Sequence, residues 1–163
     1  ATCFYSDGGN SMERPKYVGV IGAGECSDKI YQIARNVGLE IGKKGWIVVC
    51  GGLGGVMEAA ARGCIDAGRM TVGILPGLEK ESANPYIEIP IPTGLGEGRN
   101  LLVVRASDVL VSIAGEYGTL SEIALALKIK KPVIGLETWE NLKGVRYVVN
   151  PREAIEAVER VIP

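Results

Sequence analysis

Short apolar runs alternate with helix-like stretches along this chain, and glycine-rich turns separate the two. Tyr17–Ile21, Trp46–Cys50 and Met70–Leu75 are apolar almost throughout, which is typical of strands buried on both faces of a parallel sheet. Between the first two runs, apolar residues recur at helical spacing from Ile30 to Ile41, so an amphipathic helix is expected there. Strands that alternate with helices in this way predict an α/β fold with a mainly parallel sheet.

The second half of the chain continues this alternation. Further strands are predicted at Tyr86–Ile91, Asp108–Ile113 and Val133–Leu136, and further helices at Leu101–Ala106, Thr119–Ile129 and Ala154–Ile162. Two helix starts carry N-cap signals. Ser27 or Asp28 precedes the first helix, and Asn150 precedes the last. Pro151 and Glu153 then occupy the first and third positions of that last helix, as a well-formed helix start requires.

The composition narrows the classes of function. With 163 residues and 23 glycines, the chain has the size of one domain and many tight turns. We expect a flexible arm over residues 1–15 and a single domain over residues 16–163. The net charge of −1 offers no basic surface for nucleic acid, and no apolar stretch is long enough to cross a membrane. Without histidine or C-x-x-C spacing a metal site is not predicted, and the four cysteines indicate reduced thiols in the cytoplasm.

The stretch 107–136 predicts a strand, a glycine turn, a helix and a further strand. Ligands of open parallel sheets bind at the carboxyl ends of the strands, and the turn from Gly115 to Thr119 lies at such an end. The helix after the turn begins with unpaired N–H groups and a partial positive charge. The turn is therefore suited to an anionic ligand.

Glu122 follows this turn and has two interpretations. Thr119 and Glu122 match the T-x-x-E capping box, in which each side chain accepts a hydrogen bond from the backbone N–H of the other residue. The same carboxylate could instead act in catalysis at the mouth of the turn. The capping box is the commoner meaning of this spacing, but the two interpretations are not exclusive, because both direct the carboxylate toward the turn.

Two further glycine loops follow predicted strands. The loop 22–27 resembles the G-x-G-x-x-G dinucleotide fingerprint but has Ser27 at the third glycine, and no acidic residue closes the second strand. The usual NAD-binding mode is therefore disfavoured. The loop 51–55 holds four glycines, more than a tight turn needs, which favours close approach of the backbone to a ligand. No G-K-[ST] follows it, so it is not a P-loop.

Two of these stretches together resemble one superfamily. GGLGGVMEAAARG is similar to its G-G-G-x-G-[LV]-M loop, and AGEYGTLSE is similar to its P-G-G-x-G-T-x-x-E motif. The superfamily includes the LOG-type cytokinin-activating phosphoribohydrolases, often mislabelled lysine decarboxylases, and the molybdenum cofactor carrier proteins. The resemblance spans Lys16–Leu136. It implies a Rossmann-like three-layer α/β/α fold, a small nucleotide-like ligand and a homo-oligomer, dimer or tetramer.

The resemblance also implies site residues. Arg99 and Glu122 match the pair that is catalytic in the hydrolases, which require no cofactor for that reaction. The predicted ligand- and phosphate-binding residues are Gly22, Gly24, Gly51, Gly52, Gly54, Gly55, Met57, Asn100, Gly115, Gly118 and Thr119.

Two positions depart from the hydrolase pattern. The lysine that follows the arginine there is Asn100 here, and the Pro-Gly-Gly start is Ala114-Gly115-Glu116. A carboxylate at an anion site repels phosphate, and Arg99 is the obvious counter-charge. Glu116 could point away, bind a metal or a polar group of the ligand, or abolish hydrolysis. The departures favour the carrier-like branch of the superfamily.

Three functions follow as hypotheses. The first is a carrier of a phosphate-bearing, nucleotide-like ligand, with a molybdopterin-type cofactor as a candidate. The second is a nucleoside 5′-monophosphate phosphoribohydrolase, in which Glu122 stabilises charge near the ribose or activates water. The third is a non-catalytic regulatory subunit, since the predicted helix Thr119–Ile129 is apolar nearly all round and suggests burial between sheet and partner. No feature specifies a pyridoxal phosphate site, so lysine decarboxylase activity finds no support.

Overall fold

A computed structural model describes residues 13–162 and shows a seven-stranded sheet between two layers of helices. The strands are β1 (Tyr17–Gly22), β2 (Ile47–Cys50), β3 (Thr71–Leu75), β4 (Ile89–Pro92), β5 (Val109–Ile113), β6 (Val133–Leu136) and β7 (Val145–Val148). The helices are α1 (Asp28–Lys43), α2 (Val56–Asp66), α3 (Arg99–Ala106), α4 (Tyr117–Lys128) and α5 (Pro151–Val161). Short 3₁₀ turns lie at Lys80–Ser82 and Gly96–Gly98.

The strand order is β4-β3-β2-β1-β5-β6-β7, and every pair is parallel. The chain moves outward from β1 to one edge and then returns to continue from β5 to the other edge. The order therefore reverses between β1 and β5, which is the point where ligands of doubly wound sheets bind. The predicted Rossmann-like α/β/α fold is confirmed.

Each face of the sheet packs against its own helices. Side chains of α1, α2 and α5 cover one face together with fully buried residues such as Val20 and Val111. On the other face, α3 and α4 pack against residues such as Ile21 and Leu110. The central strands β1 and β5 are thus buried from both sides, which explains their continuous apolar runs.

The helix α1 packs closely against α2, and glycine makes the contact possible. A Cβ on Gly38 would overlap the carbonyl oxygen of Ala60, and one on Gly63 would overlap the carbonyl oxygen of Arg35. The two helices therefore meet backbone to backbone. This contact fixes the position of the two helices relative to each other.

The predicted helix caps are present. Ser27 Oγ accepts a hydrogen bond from the backbone N–H of Ile30 at 3.3 Å and caps α1. Asn150 Oδ1 accepts from the N–H of Glu153 at 2.9 Å and caps α5, with Pro151 at the first position. These residues act on their own neighbours, so the local sequence was sufficient to find them.

Two predictions about elements need correction, and one strand was missed. The strand expected at Tyr86–Ile91 is limited to the β4 residues, because Asn84 and Thr71 bind the backbone before it in a turn. The helix expected from Thr119 begins earlier, at Tyr117. The strand β7 was not predicted. The arm expected over residues 1–15 lies mainly outside the described residues, which begin at residue 13.

The strand β4 forms one edge of the sheet. The N–H of Thr93 donates to the carbonyl oxygen of Leu75 at 3.1 Å, so the N–H of Thr93 faces the neighbouring strand β3. Because the N–H groups of successive residues point to opposite edges of a strand, the nitrogen atoms of Pro90 and Pro92 face the open edge.

Across residues 13–162, no helix combines the length and the apolar character that crossing a membrane demands.

Candidate functional site

A cavity of about 350 Å³ lies at the carboxyl ends of β1 and β5, where the strand order reverses. The loop after β1, the start of α2, the start of α3 and the first two turns of α4 form its walls. The lining residues are Gly22, Ala23, Gly24, Glu25, Met57, Arg99, Asn100, Glu116, Gly118, Thr119 and Glu122. The fold thus brings together residues from four separate segments of the chain.

Glu122 lies on the inner wall of the cavity. Its side chain is 8% exposed, and no group among residues 13–162 donates a hydrogen bond to its carboxylate. Burial raises the pKa of Glu122 to about 7, and the nearby Arg99 charge opposes this rise. A carboxyl group with such a pKa exchanges its proton near neutral pH, which is a property of general acids and bases.

The capping-box interpretation of Glu122 is wrong. The N-cap of α4 is Glu116, so Thr119 already lies inside the helix and cannot cap it. The T-x-x-E spacing therefore arises from two residues of the first turns whose side chains border the cavity. The local pattern was misleading because Gly118 suggested a loop where the chain is already helical.

Arg99 is the first residue of α3, and the protein backbone holds its guanidinium group. Its Nε donates to the carbonyl oxygen of Ile74 at 3.0 Å, and Nη2 donates to that of Gly51 at 3.4 Å. Nη1 donates to Oδ1 of Asn100. The positive charge is thus oriented before any ligand arrives, and its remaining N–H groups are available to the cavity.

Asn100 links this arginine to the first turns of α4. Its side chain is buried, and its Nδ2 donates to Ser121 Oγ at 3.4 Å. Ser121 Oγ in turn donates to the carbonyl oxygen of Gly118 at 2.6 Å. The asparagine that replaces the hydrolase lysine is therefore a structural link between the two sides of the cavity.

The turn after β5 is compact. Ala114 and Gly115 have positive φ angles of 51° and 104°. A Cβ on Gly115 would overlap the side chain of Thr119, so this glycine is required by the turn itself. Thr119 is buried against the turn with its side chain at the cavity, close to the N-terminal N–H groups of α4.

The glycines of loop 51–55 contact the protein rather than the cavity. A Cβ on Gly51 would lie 2.7 Å from Nη2 of Arg99, and one on Gly52 would lie 2.6 Å from the Leu75 side chain. On Gly54 it would lie 3.0 Å from the carbonyl oxygen of Gly24. This loop supports Arg99 and the loop after β1, so its glycines already have an explanation in the fold. Direct ligand contact by them stays a prediction.

Gly24 and Gly118 differ from those glycines. A Cβ built on either one meets no atom within 4 Å, and neither has a positive φ angle. Neither the backbone conformation nor the packing of the chain requires glycine at these two places. Both residues border the cavity, from the β1 side and the β5 side respectively.

The predicted residues therefore divide into two groups. The residues that line the cavity are Gly22, Gly24, Met57, Arg99, Asn100, Gly118, Thr119 and Glu122. Those that lie behind it are Gly51, Gly52, Gly54, Gly55 and Gly115.

Sequence reasoning did not identify Ala23 or Glu25 as lining residues. It also missed an aromatic pair at the rim, Tyr117 with Trp139, because these residues are distant in sequence and no motif links them. Within the described part of the chain, no three potential metal ligands cluster together.

Comparison with known proteins places this geometry in a family. The model of the SLOG cluster4 family matches residues 15–160, a range that contains every cavity residue. The chain belongs to the SLOG cluster4 family.

Solved structures share the family fold. The molybdenum cofactor binding protein of Rippkaea orientalis is 36% identical, with a TM-score of 0.88, over 94% of this chain and all of the other. The molybdenum cofactor carrier protein of Chlamydomonas reinhardtii is 35% identical, with a TM-score of 0.84, over 91% of this chain and 98% of the other.

A more distant relative of this SLOG cluster4 chain is an enzyme. The cytokinin riboside 5′-monophosphate phosphoribohydrolase of Mycobacterium tuberculosis is 28% identical over 134 residues, which cover 75% of this chain and 70% of the enzyme. The predicted resemblance to a superfamily with both carriers and hydrolases is confirmed.

Proposed function

We propose that the chain binds a phosphate-bearing, nucleotide-like ligand in the cavity between β1 and β5 and carries it without turnover. The main support for this proposal is that Gly24 and Gly118 border the cavity although neither the backbone conformation nor the packing requires glycine there. Glycine at such positions leaves room for the backbone to approach a molecule that is not part of the chain. A cavity of about 350 Å³ is within the range of small-molecule sites.

The phosphate is assigned to the side of the cavity formed by Arg99 and the start of α4. The guanidinium group is held in place by backbone carbonyls, and α4 offers its first N–H groups at Gly118 and Thr119. Glu122 lies nearby, and its raised pKa of about 7 reduces the repulsion that an ionised carboxylate would exert on an anion.

Two features support a carrier rather than a hydrolase. The two similar solved structures belong to proteins that bind or carry the molybdenum cofactor, which makes a molybdopterin-type ligand the first candidate. In addition, Asn100 stands where the hydrolases have lysine, and its side chain is occupied by Arg99 and Ser121. The cavity therefore has one fixed positive side chain where the hydrolase pattern has two.

The alternative is a nucleoside 5′-monophosphate phosphoribohydrolase. It is favoured by the buried carboxyl of Glu122, whose pKa of about 7 suits proton exchange during cleavage of an N-glycosidic bond. The distant phosphoribohydrolase relative is in agreement with this reaction. Glu122 would stabilise the positive charge that develops on the ribose or activate the attacking water, and Arg99 would orient the ligand.

One experiment distinguishes the two functions. The purified protein is mixed with a panel of nucleoside 5′-monophosphates, ribose 5-phosphate and inorganic phosphate, and both thermal stabilisation and release of free base are measured. The carrier predicts stabilisation without released base. Turnover in the wild type that is lost in Glu122→Ala would refute the carrier function and support the hydrolase function. Absence of stabilisation by every phosphate compound and by a pterin phosphate would refute ligand binding at this cavity.

We also propose a homo-oligomer that assembles through the outer surface of α3 and α4. Leu101 and Leu102 on α3 are each 38% exposed, and on α4 Ala124 is exposed and Leu120 is partly exposed. The free thiols of Cys26, Cys50 and Cys64 agree with a reducing compartment such as the cytoplasm. Light scattering tests the assembly, and a monomeric mass that persists at high protein concentration would contradict it. A purely regulatory subunit would assemble in the same way but bind none of the phosphate compounds.

A further inference from the structure

Two carboxylates lie at matching positions on the two sides of the cavity. In the sheet, Gly22 at the end of β1 pairs with Ile113 at the end of β5. Glu25 and Glu116 each lie three residues after these partners, and both line the cavity. The parallel strands β1 and β5 therefore bring the two acids to the same end of the sheet, one on each side of the point where the strand order reverses.

The fold itself does not explain either of these acids. Glu25 and Glu116 are exposed, and no group among residues 13–162 forms an ion pair with either carboxylate. Glu116 is the N-cap of α4, but its side chain makes no cap hydrogen bond. The stability of the chain therefore gives no reason for a pair of carboxylates at this cavity.

The two acids oppose the anion that the cavity is proposed to bind. A phosphate monoester carries about two negative charges at neutral pH. Among the described residues that line the cavity, Arg99 alone carries a permanent positive charge. The carboxylate of Glu116 also lies at the N-terminus of α4, where its charge offsets the helix dipole that attracts an anion. A stable complex at this place therefore needs positive charge from outside the chain.

Glu122 is an independent sign that a ligand brings hydrogen-bond donors to this cavity. The residue is 8% exposed and lines the cavity, and in the described part of the chain no group donates a hydrogen bond to its carboxylate. A buried acceptor without a donor costs free energy, so its partner is expected to arrive with the ligand. A hydrated cation offers such donors in its bound water molecules.

We propose that a divalent cation of the Mg²⁺ type bridges the ligand phosphate and the carboxylates of Glu25 and Glu116. The protein then binds its ligand as a metal complex. This inference rests on the proposed function, because the phosphate supplies part of the coordination shell. Mg²⁺ is usually held by one or two carboxylates together with phosphate oxygens and water, rather than by a cage of protein groups. Two carboxylates form no site without the ligand, which agrees with the finding that no three potential metal ligands cluster within residues 13–162.

The first test measures how phosphate binding depends on the cation. Ribose 5-phosphate is titrated calorimetrically into the wild type in EDTA and in millimolar Mg²⁺, with potassium chloride added to equalise the ionic strength. Mg²⁺ is expected to tighten binding by about tenfold or more. Coupling between two ligands is reciprocal, so ribose 5-phosphate should tighten the binding of Mn²⁺ by a similar factor. The electron paramagnetic resonance signal of free Mn²⁺ measures this second effect.

Replacement of one carboxylate should reverse the order of the affinities. In EDTA, Glu116→Gln removes a repulsive charge, so this variant should bind ribose 5-phosphate more tightly than the wild type does. In Mg²⁺ it lacks a metal ligand and should bind about tenfold more weakly than the wild type. Glu25→Gln should behave in the same way. Because both side chains are exposed, the variants should keep the urea midpoint of the wild type.

Glu140→Gln is the matched control for these variants. Glu140 is exposed and lies outside the cavity, in the segment after β6, so the substitution removes the same charge at a distance from the proposed cation. Its affinities in EDTA and in Mg²⁺ should equal those of the wild type. Salt screening weakens repulsion but cannot make a carboxylate favourable to phosphate, so a reversed order in Glu116→Gln alone would support the bridge.

The outcomes separate the cation from the proposed function. If Mg²⁺ leaves the affinity for ribose 5-phosphate unchanged, or tightens it equally in the wild type and in Glu116→Gln, the bridge is refuted while the phosphate site stands. If ribose 5-phosphate binds neither with nor without Mg²⁺, the bridge is refuted and the phosphate site with it.

Discussion

Loop 51–55 and the rim of the cavity both carry glycines, but the chain needs them for different reasons. Gly55 has a φ angle of 62°, and a Cβ on it would overlap the carbonyl oxygen of Ala23. The N–H of the next residue, Val56, donates to that same oxygen at 2.9 Å. At Gly24 and Gly118, by contrast, a Cβ would meet nothing and the φ angles are ordinary.

This difference shows what a glycine-rich motif can and cannot indicate. A glycine that its own fold requires gives no information about a ligand, however well it matches a motif. A glycine that borders a cavity without any internal requirement points to a molecule outside the chain. The two kinds look identical in sequence, and measurements of stability and of binding should separate them.

The largest expected effect on stability is that of Gly55→Ala. The substitution combines a positive φ angle with overlap of a backbone oxygen that cannot move freely. We expect the free energy of unfolding to fall by about 3 kcal/mol or more, measured by urea denaturation. Gly77→Ala is the matched control, because a Cβ there meets no atom within 4 Å and φ is not positive. Equal stability of the two variants would remove the distinction between the two kinds of glycine.

An intermediate effect is expected for Glu122→Gln, and it should depend on pH. Burial raises the pKa of this carboxyl from 4.5 to about 7, so between these values the folded state holds a proton that the unfolded chain releases. Stability of the wild type therefore falls as pH rises through this window, by roughly 3 kcal/mol. The glutamine variant lacks this loss and should be more stable than the wild type at pH 8 but equal to it at pH 4.5. A difference that is the same at both pH values would contradict a shifted pKa.

The smallest effect on stability is expected for Gly118→Ala. Alanine is a better helix former than glycine, and the position is free of contacts, so the free energy of unfolding should rise by about 0.5 kcal/mol. Affinity for inorganic phosphate should nevertheless fall at least tenfold, since the added methyl group occupies the approach to the N-terminus of α4. Calorimetric titration measures this loss. Unchanged affinity would mean that the ligand does not approach the backbone here, and Gly77→Ala again serves as control.

Much of the fold could be predicted because its signals are local. Ser27, Asn150 and Glu153 act on backbone groups within three or four residues, and the caps were found where they were expected. The buried strands next to the reversal point are apolar runs bounded by glycine, which is equally local information. These signals sufficed to place three glycine loops at the carboxyl end of the sheet.

The rest depended on contacts between distant residues. The strand β7 has two exposed residues out of four, Arg146 and Tyr147, and only pairing with β6 makes it a strand. The cavity wall depends in the same way on long-range contacts. Spacing alone could not show that Glu122 faces Arg99, 23 residues earlier in the chain, rather than its own helix cap. Tyr117 and Trp139 meet only because the segment after β6 folds over the start of α4.

The two prolines of β4 have a consequence for how the protein behaves in concentrated solution. An open strand edge is a template on which other chains can add strands and grow into aggregates. Pro90 and Pro92 remove the N–H donors on that edge, so an incoming strand finds acceptors but too few donors to form a ladder. Sheet growth is thereby suppressed at this end of the molecule, and contacts between copies are left to the side chains of its helices.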